Sequence, residues 1–152
     1  MNQKEQQLSV TVLNKLLANS SILLVQTLNY HWNIVGPEFH DYHLLFDKQY
    51  NQLFEHMDLL AERVRAVNGT ALGSMDAFLK TATLKEDTGK VLTPKQMITK
   101  LFEQYEYQVA EYYDAIKLLE KDTDDFGTIN MLEELLTKHE KALWMLRSLL
   151  GR

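Results

Sequence analysis

The sequence predicts an all-α protein built as a bundle of four long helices joined by one long connection. Two observations carry this. Apolar residues recur at three- and four-residue steps through four separate stretches, the period of a helix with one buried face. In addition, only six of the 152 residues are Gly and two are Pro, which leaves little material for turns. A chain of this length is expected to form a single domain, residues 1–152, against a usual range of about 100–200 residues per domain.

The first helix is expected between Leu8 and Ile34, where Leu13, Leu16, Leu17, Leu24 and Leu28 form an apolar stripe with no Gly or Pro to interrupt it. Gly36-Pro37 ends that stretch. A second helix runs from Phe39 through Phe46, Tyr50, Leu53, Met57, Leu60 and Val64 to Val67, and Asn68-Gly69 stops it as a C-terminal cap. Residues Thr70 to Thr93 read as a long connection, with Met75 to Leu79 as a short extra helix inside it. Thr93-Pro94 then reads as an N-cap with Pro at the first helical position, and the stripe from Ile98 to Leu119 makes a third long helix. After the acidic loop Asp122 to Gly127, Thr128 is the expected cap of a fourth stripe, from Leu132 to Leu149. Four helices with one long crossover between the second and third make a ferritin-like bundle the economical architecture.

Composition narrows the chemistry. With no Cys, disulfides, thiolate catalysis, zinc-thiolate sites and iron-sulfur clusters are excluded, so any metal must sit on nitrogen and oxygen ligands. A net charge of −5 argues against general attraction to nucleic acid or anionic lipid. The first residues contain no apolar run of signal-peptide type, and a soluble, cytoplasmic protein is expected.

The five histidines are His31, His40, His43, His56 and His139, and none lies three residues after a Glu, so the Glu-x-x-His pattern of a di-iron site inside a bundle is missing. The second helix offers another arrangement. On a wheel of about 100° per residue with His43 at zero, Asp47 falls near ~40°, Asp58 near ~60° and Glu62 near ~100°. These four share a narrow face beside the core-facing stripe. Asp47 and Asp58 are nevertheless separated by about 16 Å of helical rise, too far for one metal centre within one chain. Antiparallel packing of this helix on its copy about a two-fold axis near Gln52 and Leu53 sets His43 and Asp47 of one chain opposite Asp58 and Glu62 of the other. His31, at the adjoining end of the first helix, adds a second imidazole. Mixed imidazole and carboxylate ligands suit iron(II), manganese or zinc, and redox chemistry favours iron.

Each residue also has a plainer reading. His31 suits a helix end, and Asp47, Asp58 and Glu62 taken singly are ordinary helix-surface charges. His139 on its apolar face is expected to be a hydrogen-bonded core histidine, and His40 and His56 surface or interface residues. Tyr50, Tyr105 and Tyr112 read as core, whereas Trp32 is singled out by its place beside His31.

Taken together, His31-Trp32-Asn33, Gly36, Phe39, His43, Phe46, Asp47, Tyr50, Asp58 and Ala61-Glu62-Arg63 resemble the signature of the Dps family, the DNA-binding proteins from starved cells. Met75 to Leu79 resembles the short helix of that family's long connection, and Leu143 to Leu146 its last helix, so the resemblance covers essentially the whole chain. It implies a hollow homo-oligomer of twelve chains with ferroxidase centres at the two-folds. The implied ligands are His31, His43 and Asp47 of one chain and Asp58 and Glu62 of its partner. It further implies oxidation of iron(II) with hydrogen peroxide preferred to dioxygen, ferric storage inside the shell, and a role for Trp32 in intercepting stray oxidising equivalents. Many members bind DNA through a Lys/Arg-rich terminal arm; here only Lys4 precedes Lys15, so DNA binding is not expected. The family's three-fold pores are lined with carboxylates near the start of the last helix, where this chain has Asn130 and, nearby, Asp122, Asp124, Asp125, Glu133 and Glu134. The competing reading is a binding protein of the same fold with zinc or manganese held structurally, or with a DNA-binding role.

Overall fold

The computed structural model describes residues 1–88, 90 and 92–152; positions 89 and 91 of the expected long connection lie outside the described residues. Five helices are described, α1 (Gln3–Asn33), α2 (Phe39–Ala66), α3 (Met75–Thr81), α4 (Pro94–Asp122) and α5 (Phe126–Leu149), and no strand occurs among the described residues. The four long helices pack α1 on α2, α4 on α5 and α1 on α4, with the short α3 laid against α1.

Helix boundaries follow from local chemistry. Helix α1 starts five residues before the apolar stripe because Asn2 and Glu5 form a reciprocal capping box that satisfies two otherwise orphaned donors. Helix α2 ends in a left-handed Asn68, φ 61°, with the Gly69 N–H reaching back to the Val64 carbonyl at 2.8 Å. Thr93 caps α4 through a box with Gln96, and Pro94 takes the first turn as expected. At α5 the cap differs from the expected Thr128. Asp125 is the N-cap, and Thr128 instead gives it both a backbone N–H (3.2 Å) and a hydroxyl (2.6 Å). A carboxylate accepts two such donors at once and gains from the helix dipole, which a single hydroxyl does not.

The crossover hangs on α1. The buried Asn19 side-chain oxygen accepts from the Thr83 and Leu84 N–H groups at 2.8 and 3.0 Å, and Gln26 accepts from Asp87 N–H at 2.8 Å. Without these amides the connection's backbone donors would be left without partners against an apolar helix.

The core divides into two apolar clusters. One, around Leu13, Leu16, Leu60, Leu119 and Leu132, fills the end of the bundle holding the α1 N-terminus; the other, around Leu23, Phe46, Leu53, Leu101 and Leu146, fills the opposite end. Tyr105 and Tyr112 are buried, as their stripe predicts, and His139 is a core histidine whose Nδ1–H donates to the Leu135 carbonyl at 2.9 Å. His56 departs from the surface or interface position expected for it. It is buried with its ring stacked on His139, centroids 4.9 Å apart, because on the α2 wheel it falls only about 40° from the inward-facing Leu60. Burial lowers its pKa to about 3, helped by His139 and Lys138, and burial lowers that of His139 to about 4.

Helix α1 is apolar enough by length and composition to cross a membrane, but it packs on α2, α3 and α4 within the bundle, with most of its apolar window buried.

Candidate metal centre

The short turn after Ile34, with Gly36 at φ 138°, brings the last turn of α1 beside the first turns of α2. His31 and His43 meet there face to face, with ring centroids 3.8 Å apart and planes 12° from parallel. Each Nδ1 sits on the other residue's backbone carbonyl, His31 to His43 at 2.8 Å and His43 to His31 at 2.7 Å. A carbonyl only accepts, so both Nδ1 atoms carry the proton, and in the neutral rings both Nε2 atoms carry a lone pair. This reciprocal pairing fixes two imidazoles in the tautomer and orientation that a metal ligand requires. Phe39 stacks on the far side of His43 at 4.8 Å, and Tyr50 packs edge-on against His31 at 5.1 Å.

Asp47 lies one turn beyond His43 and is held by Tyr50, whose hydroxyl donates to Oδ1 at 2.8 Å, and by Asn51, whose side chain donates to the Asp47 carbonyl at 2.9 Å. The bond to Asp47 raises the Tyr50 pKa, so the phenol keeps its proton and remains a donor to the carboxylate. Tyr50 is therefore not the core residue its stripe suggests. Its ring is half-buried beside His31 and its hydroxyl holds Asp47; the three-residue spacing from Asp47 was the signal in the sequence.

The structure thus pairs His31 with His43, holds Asp47 one helical turn beyond them through Tyr50, and leaves Asp58 and Glu62 exposed farther along the same face of α2. Among the described residues of one chain, no three His, Asp or Glu side chains converge to hold a metal ion. Trp32 next to His31 is 66% exposed, and Phe54, on the face of α2 that carries His43, Asp47, Asp58 and Glu62, is 64% exposed. The neighbouring Arg63 turns away from Glu62 into the bundle, where its guanidinium meets the buried Asp125 at 2.7 Å and Thr128 at 2.9 Å. Burial alone would raise the Asp125 pKa, but the Thr128 bonds and the Arg63 guanidinium outweigh it and hold the carboxyl below its usual range. Asp125 is consequently removed from the group of exposed acids near the start of α5; Asp122, Asp124, Glu133 and Glu134 remain on the surface.

Comparison with known proteins agrees with this architecture. The ferritin-like domain family matches residues 10–152. The chain is 38% identical over 148 residues to an uncharacterized low temperature-induced protein of Nostoc sp. strain PCC 7120, covering 97% of this chain and 83% of the relative. It is 34% identical over 145 residues to the DNA protection during starvation protein of Brevibacillus brevis, covering 95% and 96% respectively. Among solved structures, the Dps protein of Vibrio cholerae O1, a member of a broad superfamily of ferritin-like diiron-carboxylate proteins, superposes with a TM-score of 0.92 at 30% identity, covering 99% of this chain and 93% of that one. With the fold, the helix order and relatives of this similarity in agreement over nearly the whole chain, the protein belongs to the Dps family of ferritin-like proteins.

Proposed function

We propose that the protein oxidises iron(II), with hydrogen peroxide preferred to dioxygen, at centres shared between two copies of the chain, and stores the ferric product inside a cytoplasmic shell of twelve chains. The observation that supports this best is the locked His31/His43 pair beside Asp47, half of a ligand set whose other half, Asp58 and Glu62, stands too far along α2 to be reached within one chain. A two-fold axis near Gln52 and Leu53 unites the halves, and the exposed Leu44, Phe54 and Leu59 give α2 apolar surface to bury against its copy. His31, His43 and Asp47 then bind from one chain and Asp58 and Glu62 from the other, with iron as substrate and zinc or manganese as competing occupants.

Two neutral imidazoles with three carboxylates place net negative charge around the ferric product, which favours oxidation over the iron(II) state. Each peroxide accepts one electron from each of two iron(II) ions together with two protons, and leaves as two waters. Pairing the electrons in this way consumes iron(II) and peroxide without releasing hydroxyl radical. Trp32, exposed beside His31, supplies an electron to any oxidant that escapes.

Anaerobic loading with a few iron(II) per chain, followed by peroxide at half that amount, is expected to give rapid ferric absorbance over a protein-free control. Asp58→Ala and His43→Ala should each abolish the fast phase. Dimers mixing the two variants place both defects in one site and leave the other intact, so co-refolded mixtures should regain activity. Assembled mixtures that stay inactive overturn the shared site.

A further inference from the structure

Between the two apolar clusters, every long helix places a buried polar residue towards the others: Ser20 from α1, His56 from α2, Gln108 from α4 and His139 from α5. Tyr105 and Tyr112 bracket this belt, with ring centroids 5.7 and 4.8 Å from that of His139. Some of its groups are satisfied locally. The Ser20 hydroxyl donates to the Leu16 carbonyl at 2.8 Å and accepts a long bond from Gln108 Nε2 at 3.5 Å, and His139 Nδ1–H donates to Leu135. The remainder make no well-formed hydrogen bond within the protein: both nitrogens of His56, Nε2 of His139, Oε1 of Gln108, the hydroxyl of Tyr105, and that of Tyr112, which has Ser20 as its neighbour.

These atoms form a balanced set. With His139 held in its Nδ1–H tautomer, its Nε2 accepts, as do Gln108 Oε1 and one nitrogen of His56; the two phenols and the other His56 nitrogen donate. Three donors and three acceptors thus lie buried on neighbouring side chains without hydrogen-bonding one another, and a buried polar atom left unpaired costs about 1–3 kcal/mol. An occupant must therefore both donate and accept. A metal cation satisfies only the acceptors and faces the O–H and N–H protons, and the belt contains no carboxylate to offset its charge. A small neutral hydroxyl-bearing molecule meets every requirement.

We propose that the belt is a buried water-binding site, with bridging waters linking His56, His139, Gln108, Tyr105 and Tyr112, and that it rejects metal ions. Each such water has the two to four polar partners that hold buried solvent in place. Bundles of this class build metal sites in their cores from inward-facing acidic and imidazole side chains. Here the same space carries imidazoles without acids, so it turns metal away from the interior of the single chain.

The test is a crystal structure of the metal-free assembled protein at a resolution that shows ordered solvent, with a second crystal soaked in zinc(II) and measured for anomalous scattering. Solvent oxygens within ~2.6–3.2 Å of His139 Nε2 and the two phenol oxygens, with no anomalous peak in the belt, are expected. An anomalous peak on His139 Nε2 or His56 overturns the proposal, as does direct Tyr-to-His hydrogen bonding with no solvent between. In His139→Phe the solvent on that side should be lost. If that variant does not assemble, Tyr112→Phe should lose only the oxygen bound to its hydroxyl. Solvent that persists unchanged in the variant examined also overturns the assignment.

Discussion

At the scale of single residues, the proposed centre depends on hydrogen bonds that hold its candidate ligands in place. The His31 and His43 rings are held by each other's backbone, whereas Asp47 depends on a side chain, the Tyr50 hydroxyl. Outer partners of this kind typically change metal affinity or activity by about 10–100-fold when removed. Tyr50→Phe keeps the ring against His31 and deletes only the bond, so we expect the initial rate of iron oxidation to fall ~10-fold with the helix content unchanged. Stopped-flow ferric absorbance checks this, and a rate close to that of the parent would assign Tyr50 to packing alone. His56 is the residue most easily misread at this scale. Its neighbours in sequence, Glu55 and Asp58, are exposed, yet the helical repeat turns it inward onto His139.

At the scale of elements, the Arg63 to Asp125 pair joins the last turns of α2, which carry Asp58 and Glu62, to the first turn of α5. The Asp125 side chain is only 2% exposed, so deleting the guanidinium leaves a buried carboxylate with the Thr128 donors as its main support. Arg63→Met is expected to cost about 3 kcal/mol, read as a lower denaturation midpoint. Adding Asp125→Asn should recover part of that loss, because no buried charge then remains uncompensated; a double variant as unstable as the sum of the two singles would refute the pairing. Gly127 belongs to the same contact. A Cβ there would stand 2.6 Å from an Arg63 terminal nitrogen, which cannot move aside without giving up Asp125, so Gly127→Ala should mimic a milder Arg63 variant, costing about 1–3 kcal/mol by overpacking.

At the scale of the whole molecule, acid stability depends on the two core histidines, His56 and His139. His139 has its pKa lowered by burial from 6.5 to about 4, so between these values the unfolded chain takes up a proton that the folded chain refuses. Stability therefore rises with pH through this window, and is lost as pH falls from about 6.5 towards 4, by roughly 3 kcal/mol in total. His139→Gln, neutral at every pH, should make that limb of the stability profile shallower, leaving the share that the buried His56 contributes through the same window; an unchanged acid limb would place its origin elsewhere. Assembly is tested by mass. The proposed shell elutes near twelve chains, and a stable dimer or monomer would refute it.

Apolar periodicity, the Asn68-Gly69 stop, the Thr93-Pro94 start and the scarcity of Gly and Pro were enough to read off four long helices, a short extra one and a crossover, because such signals act within a few turns of the backbone. The helical wheel also put His43, Asp47, Asp58 and Glu62 on one face, since a face depends only on spacing. Packing alone decided what those spacings meet. That His31 and His43 exchange carbonyl bonds, that Tyr50 serves Asp47, that Asp125 is buried beneath Arg63 and that His56 joins a polar belt between two apolar clusters all depend on contacts between helices. Those contacts are governed by the distance and rotation between helix axes, which no periodicity along a single helix encodes.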